Sequence, residues 1–164
     1  MSGGGAKGGK SAMPSASALR LMSEAKELMR SPPAGVSAAP TSDDDVTQWT
    51  ASIVGPEETA WEGGIFRLQL SFGPEYPAKP PRVKFTPPIF HPNVYGNGEL
   101  CLDILQSQWT PALSISSLLV SVASLLTDPN PASPANPEAA RLYEKDKKAY
   151  RRRVRQCAER SLDS

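Results

Sequence analysis

The run Phe66-Arg67-Leu68-Gln69-Leu70-Ser71-Phe72 alternates large apolar and polar residues without a break. Successive side chains of a strand point to opposite faces, so this run reads as a strand with one face in a core and the other in water. Such one-sided burial belongs to antiparallel sheets, because parallel strands are covered on both faces and read as continuous apolar runs. Outward from it, two shorter runs repeat the pattern. Upstream, Trp49, Ala51 and Ile53 alternate with Thr50 and Ser52 until Gly55-Pro56 ends the run. Downstream, Val83 and Phe85 alternate with Arg82 and Lys84. Short strands joined by turns predict an antiparallel meander.

Helical spacing flanks the strands. From Ser17 to Arg30, Leu21, Ala25 and Leu28 with Met22 and Met29 form an apolar set, and Ser31-Pro32-Pro33 stops the helix. Arg20, Glu24, Lys26, Glu27 and Arg30 read as its polar face. Behind Ser114 as a cap, Ile115, Leu118, Leu119, Val122, Leu125 and Leu126 make a broad apolar face that ends at Thr127-Asp128-Pro129. Asn136-Pro137-Glu138 is a helix start, with a cap residue, proline at the first position and an acid in the first turn. Leu142, Tyr143, Tyr150, Val154 and Cys157 form an inner stripe across two short helices. The layout is α+β: helices packed on an antiparallel sheet in one domain over residues 17–164. Residues 1–16 (MSGGGAKGGKSAMPSA) have almost nothing to bury and read as a disordered tail.

Composition closes several doors. With 18 Lys and Arg against 17 Asp and Glu, net charge gives no case for bulk nucleic-acid binding. No apolar run approaches the roughly 18 residues of a membrane span. One histidine and two cysteines cannot furnish a dedicated zinc site. Without a signal peptide, and with two cysteines far apart, the chain is expected in the reducing cytoplasm or nucleus.

Cys101 ends the run His91-Pro92-Asn93-Val94-Tyr95-Gly96-Asn97-Gly98-Glu99-Leu100-Cys101. Free cysteines are usually small buried hydrophobes. Here the Gly96-Asn97-Gly98 turn keeps the backbone irregular and near the surface, which favours a displayed nucleophile. His91, between Phe90 and Pro92, reads as a structural histidine bonded to neighbouring backbone rather than a base. A cysteine hydrolase therefore lacks its base. Asn93 offers an uncharged amide, suited either to a developing oxyanion or to holding its own loop. Tyr76-Pro77-Ala78-Lys79-Pro80-Pro81, squeezed between strands, reads as a rigid connector. Arg151, Arg152, Arg153 and Arg155 read as a solvated helix face.

From about Ala18 onward the chain resembles the ubiquitin-conjugating enzymes. The resemblance rests on His91-Pro92-Asn93 followed by Cys101, then Leu102-Asp103-Ile104-Leu105, Trp109-Thr110-Pro111 and Asp128-Pro129-Asn130-Pro131. Tyr76-Pro77, Pro80-Pro81 and Gly63-Gly64 fit as well. Pro32 to Ser37, Phe90 to Tyr95, Leu102 to Gln106 and Asn130 to Asn136 are most like the subfamily that monoubiquitylates histone and serves post-replication DNA repair, whereas Ser107-Gln108-Trp109 and Pro111 to Ser116 look more like the broad-specificity subfamily.

The resemblance implies a four-stranded antiparallel meander between an N-terminal helix and C-terminal helices. It implies that Cys101 takes ubiquitin from the activating enzyme as a thioester and yields it to a substrate lysine with a RING-type ligase. Asn93 would stabilise the oxyanion or the loop, Asp103 would position the lysine, and Leu113 would flank the cysteine. Ser133 stands where many members carry a gating acid, and a phosphate there would restore the charge. Arg20 and the exposed face of the first helix map to the activating-enzyme surface. The N-terminal half of the first helix, Ala78, Pro111 and Ala112 map to the ligase surface. Ala78 replaces a large aromatic of many relatives, and Ala25 an aromatic of the repair subfamily. No cofactor is implied, since ATP is used by the activating enzyme, and neither membrane nor direct nucleic-acid contact is expected. The same chemistry on another ubiquitin-like modifier, or a non-catalytic binding variant, are the alternatives; such variants lack the cysteine.

Overall fold

The computed structural model describes residues 13–132 and 134–163, and residues 1–12 of the expected 1–16 tail lie outside them. The order is α1 (Ala16–Arg30), β1 (Val36–Ser42), β2 (Asp45–Val54), β3 (Ile65–Ser71), β4 (Arg82–Phe85), a 3-10 turn (Asp103–Leu105), α2 (Ile115–Thr127), α3 (Pro137–Lys145) and α4 (Lys147–Ser161). The strands form one antiparallel sheet in sequence order, β1-β2-β3-β4.

Register follows the alternation. Trp49, Ala51 and Ile53 stand opposite Leu70, Leu68 and Phe66, and Leu68 and Leu70 stand opposite Phe85 and Val83. All of them are buried, so one face of β2, β3 and β4 is continuous core. A slip by one residue would turn the whole set to water. Helices α1 and α4 pack on this sheet and α1 also meets α2. The six apolar residues read for α2 are all buried, each stabilising by roughly 2 kcal/mol relative to exposure. Ser114 caps that helix through a capping box with Ser117.

The strand β1 has no counterpart among the alternating runs. In Val36–Ser42 only Val36 is buried, and Pro40 sits within it. As an edge strand it pairs on one side only, where proline is tolerated and a two-sided pattern is not needed. Helix α1 begins at Ala16, one residue ahead of Ser17, because the Ser15 side chain accepts from the Ala18 amide.

The buried stripe of α1 also differs from its spacing. Met22 and Met29 are 44% and 83% exposed, while Glu24 is buried. Ser17, Leu21, Glu24 and Leu28 face inward, so a charged residue holds the position that apolar periodicity assigns to the solvent side.

Candidate active site

The chain approaches Cys101 through a hairpin-like loop built on backbone bonds. Tyr95 N–H donates to Glu99 O at 2.8 Å and Gly98 N–H to Tyr95 O at 2.9 Å, with a bridge between Val94 and Leu100. Gly98 has φ +92°, and a Cβ there would lie 2.1 Å from the Phe85 carbonyl oxygen. Only glycine permits both the left-handed turn and this approach, through which Phe85 N–H donates to Gly98 O at 2.9 Å. The loop is thereby pinned to β4. Cys101 N–H then donates to Asn93 O at 2.8 Å, leaving the thiol half-exposed between buried Leu100 and half-buried Leu102.

His91 is wholly buried, and both ring nitrogens are committed. Asn93 N–H donates to Nδ1 at 2.9 Å, so the proton sits on Nε2 and is donated to Leu125 O at 2.6 Å. Burial lowers its pKa to about 4, against a smaller opposing effect of the Leu125 carbonyl. A neutral ring with no free lone pair cannot take a proton from Cys101. Its work is to orient the backbone that carries Asn93.

Asn93 is 1% exposed and closes a two-bond ring with a distant loop. Its Nδ2 donates to Asn130 O at 2.8 Å, and Asn130 N–H donates to Oδ1 at 2.7 Å. The same loop is fastened at Pro92, whose carbonyl accepts from Ala135 N–H at 2.7 Å and Asn136 N–H at 3.0 Å. Residues 92, 93 and 101 and residues 130, 135 and 136 are therefore joined in one bonded unit. Ser133, the expected gate, lies within that segment but outside the described residues.

Asp103 opens the 3-10 turn two residues after the cysteine. Its backbone carbonyl accepts from Gln106 and Gln108, and its exposed carboxylate has no hydrogen bond or ion pair among the described residues. It can meet an incoming amine without first breaking a contact.

The remaining expected residues gather elsewhere. Arg20 Nη2 donates to Pro111 O at 3.0 Å and Leu113 O at 2.9 Å, and Trp109 Nε1 donates to Pro77 O at 2.8 Å. These bonds draw α1, the proline loop carrying exposed Ala78, and exposed Pro111 and Ala112 into one surface. Leu113 is fastened to α1 by this network. Much of the Arg20 guanidinium is taken up inside the molecule, its Nε bonded to Glu24 at 2.7 Å.

Glu24 was not among the expected site residues. Its Oε1 accepts Ile115 N–H at 2.6 Å, and its Oε2 accepts Arg20 and the Tyr76 hydroxyl. One buried carboxylate thus joins α1, the proline loop and the start of α2. The signal in the sequence was its place between Leu21 and Leu28. Among the described residues no group of His, Cys, Asp and Glu could hold a metal ion, and no helix is long and apolar enough to cross a membrane.

The family model for ubiquitin-conjugating enzymes matches residues 20–158. Ubiquitin-conjugating enzyme E2 2 of Candida albicans is 55% identical over 142 residues, covering 87% of this chain and 79% of that protein. The E2 2 of Trichoderma harzianum is 52% identical over 151 residues, covering 92% and 99%. The E2 3 of Arabidopsis thaliana is 51% identical over 142 residues, covering 87% and 94%.

Proposed function

Because this chain belongs to the ubiquitin-conjugating enzyme family, we propose that Cys101 accepts the C-terminal carboxyl of ubiquitin as a thioester and passes it to a substrate lysine. The chain is a ubiquitin-conjugating enzyme, and membership implies ubiquitin, an activating enzyme and a ligase as partners. The observation that carries the site assignment is the half-exposed Cys101 thiol, bonded through its own backbone to Asn93 and without a usable histidine.

In the loading step the Cys101 thiolate attacks the thioester carbonyl on the activating enzyme. A new S–C bond forms, the old one breaks, and the departing thiolate takes up a proton. Leaving group and nucleophile are alike, so no strong base is required. In the transfer step a lysine amine attacks the same carbonyl, a C–N bond forms, and Cys101 leaves as thiolate. Asp103 receives or orients the amine proton. Asn93 steadies the transfer through the loop it holds and through stabilisation of the oxyanion. No cofactor resides on the chain, and ATP is consumed by the activating enzyme.

The finer reading is a histone- and repair-directed enzyme of cytoplasm and nucleus, working with a RING-type ligase. It is supported by Asn130-Pro131-Ala132-Ser133-Pro134-Ala135-Asn136 and Pro32 to Ser37. Ser133 is its regulatory gate.

Incubation with activating enzyme, ATP and ubiquitin is expected to give an adduct dissolved by thiol. Cys101→Ser should give a thiol-resistant ester, and Cys101→Ala none. An adduct that persists in Cys101→Ala overturns the assignment. Loading with a different ubiquitin-like modifier in place of ubiquitin would overturn the substrate and keep the chemistry.

A further inference from the structure

Two cavities follow one another along α4, on a face that the transfer chemistry does not use. The first, about 210 Å³, has walls of Trp61, Leu126, Pro129, Tyr143, Tyr150 and Val154. Lys147 and Arg151 line it too. The second, about 490 Å³, takes Arg155, Ala158, Glu159 and Leu162 from the next turns, with Glu62 on the other side. Both share Thr59 and Ala60 of the loop between β2 and β3, so they form one open groove along the helix.

Three observations describe what would fill it. The first cavity is aromatic, with Trp61, Tyr143 and Tyr150 in its walls. Second, α4 carries seven Lys and Arg against one Glu, in a chain whose net charge is +1. Among the described residues its one ion pair is Arg153 with Glu138. Lys147, Arg151 and Arg155 stand one turn apart along the groove, at steps of about 6 Å. Third, Leu162 is 57% exposed at the far end.

We propose that this groove docks an extended acidic segment of a protein partner, with one aromatic side chain seated in the first cavity. Its carboxylates lie over Lys147, Arg151 and Arg155. Glu62 and Glu159 fix the direction: the acids lie toward Tyr143 and an uncharged, apolar end reaches Leu162. A nucleic-acid backbone, negative along its whole length, would run onto those two carboxylates. The chain's own residues 1–12 do not suit the site, since they carry Lys7 and Lys10 and no acid.

The test uses the full chain and a fluorescein-labelled twelve-residue peptide of Asp and Glu around one Phe, ending in Leu and Ser, read by anisotropy. Saturable binding is expected, weakening about tenfold between roughly 0.05 and 0.5 M NaCl as the exposed charges are screened. Replacing the peptide Phe by Ala, or introducing Arg151→Glu with Arg155→Glu, should each weaken it about tenfold or more. The assay contains no thioester step, so its failure is distinct from failure of the Cys101 reading. Equal binding of a Gln and Asn version of the peptide overturns the proposal. So does equally tight binding of a single-stranded DNA of the same charge, or a dimer of the protein alone that Arg151→Glu dissolves.

Discussion

Glu24 and Ile115 lie 91 residues apart, yet the Ile115 amide donates to Glu24 Oε1 at 2.6 Å. The other carboxylate oxygen accepts Arg20 Nε at 2.7 Å and the Tyr76 hydroxyl. A negative charge at the first turn of α2 also complements the helix dipole. Burial first, and then the Glu24 carboxylate, push the Tyr76 phenol upward in pKa, so it remains a donor.

Glu24→Leu should therefore destabilise the fold by about 3–5 kcal/mol, because it strands a buried phenol, an amide and a guanidinium together. Glu24→Gln keeps an acceptor for Ile115 and should lose less. Urea unfolding at neutral pH measures both. A Glu24→Leu variant as stable as the parent would show that the network carries no weight.

His91 predicts a pH dependence with a definite sign. Its folded pKa is lowered to about 4 by burial, against 6.5 for an unperturbed histidine. Between these values the unfolded chain binds the proton and the folded one does not, so stability rises with pH across that window. The contribution is complete above about pH 6.5 and gone below about pH 4, amounting to about 3 kcal/mol. Urea midpoints from pH 7 to 4.5 should fall for the parent and fall less steeply for His91→Gln, which has no imidazole to protonate. Parallel slopes in the two proteins would remove His91 as the cause.

Gly98 and Gly96 make a matched pair two residues apart. Gly98→Ala places a Cβ 2.1 Å from Phe85 O at φ +92°, whereas a Cβ on Gly96 meets nothing within 4 Å. The first substitution should cost about 3 kcal/mol through strain and displaced backbone, and the second under about 0.5 kcal/mol. Because Gly98 pins the loop that ends at Cys101, Gly98→Ala should also slow thioester formation while Gly96→Ala leaves it near the parent rate. Equal behaviour of the two alanines would separate loop position from Cys101 reactivity.

The parts of the fold legible in the sequence are those where one residue type decides locally. Phe66 to Phe72 alternates, Ser114 and Asn136 cap, and Asp128 ends α2, each by an interaction within a few residues. What escaped reading depends on distant chain. Strand β1 exists because β2 offers it an edge, and Glu24 is buried because Tyr76 and Ile115 arrive to pair it. The site divides in the same way. The cysteine, its turn and the asparagine could be read as a local group, but the bond from Asn93 to Asn130 spans 37 residues and left no periodic trace.

That bond yields the sharpest prediction about transfer. Asn93→Ala removes a donor and an acceptor from Asn130, at a cost of about 1–3 kcal/mol in stability. Cys101 N–H bonds to the Asn93 backbone carbonyl, which alanine retains, so the position of the thiol should survive. Loading from the activating enzyme is thus expected to stay within a few-fold of the parent. Discharge to free lysine develops oxyanion charge under attack by a poorer partner, and it should fall about 100-fold, the scale of losing one preorganised donor. Asn93→Asp keeps the acceptor for Asn130 N–H but sets a carboxylate against Asn130 O, so it should also lose discharge rather than rescue it. Single-turnover assays of loading and of lysine discharge on the same preparations separate the two steps. Equal losses in both would mean that the side chain only maintains the fold of the loop, with no preferential part in aminolysis.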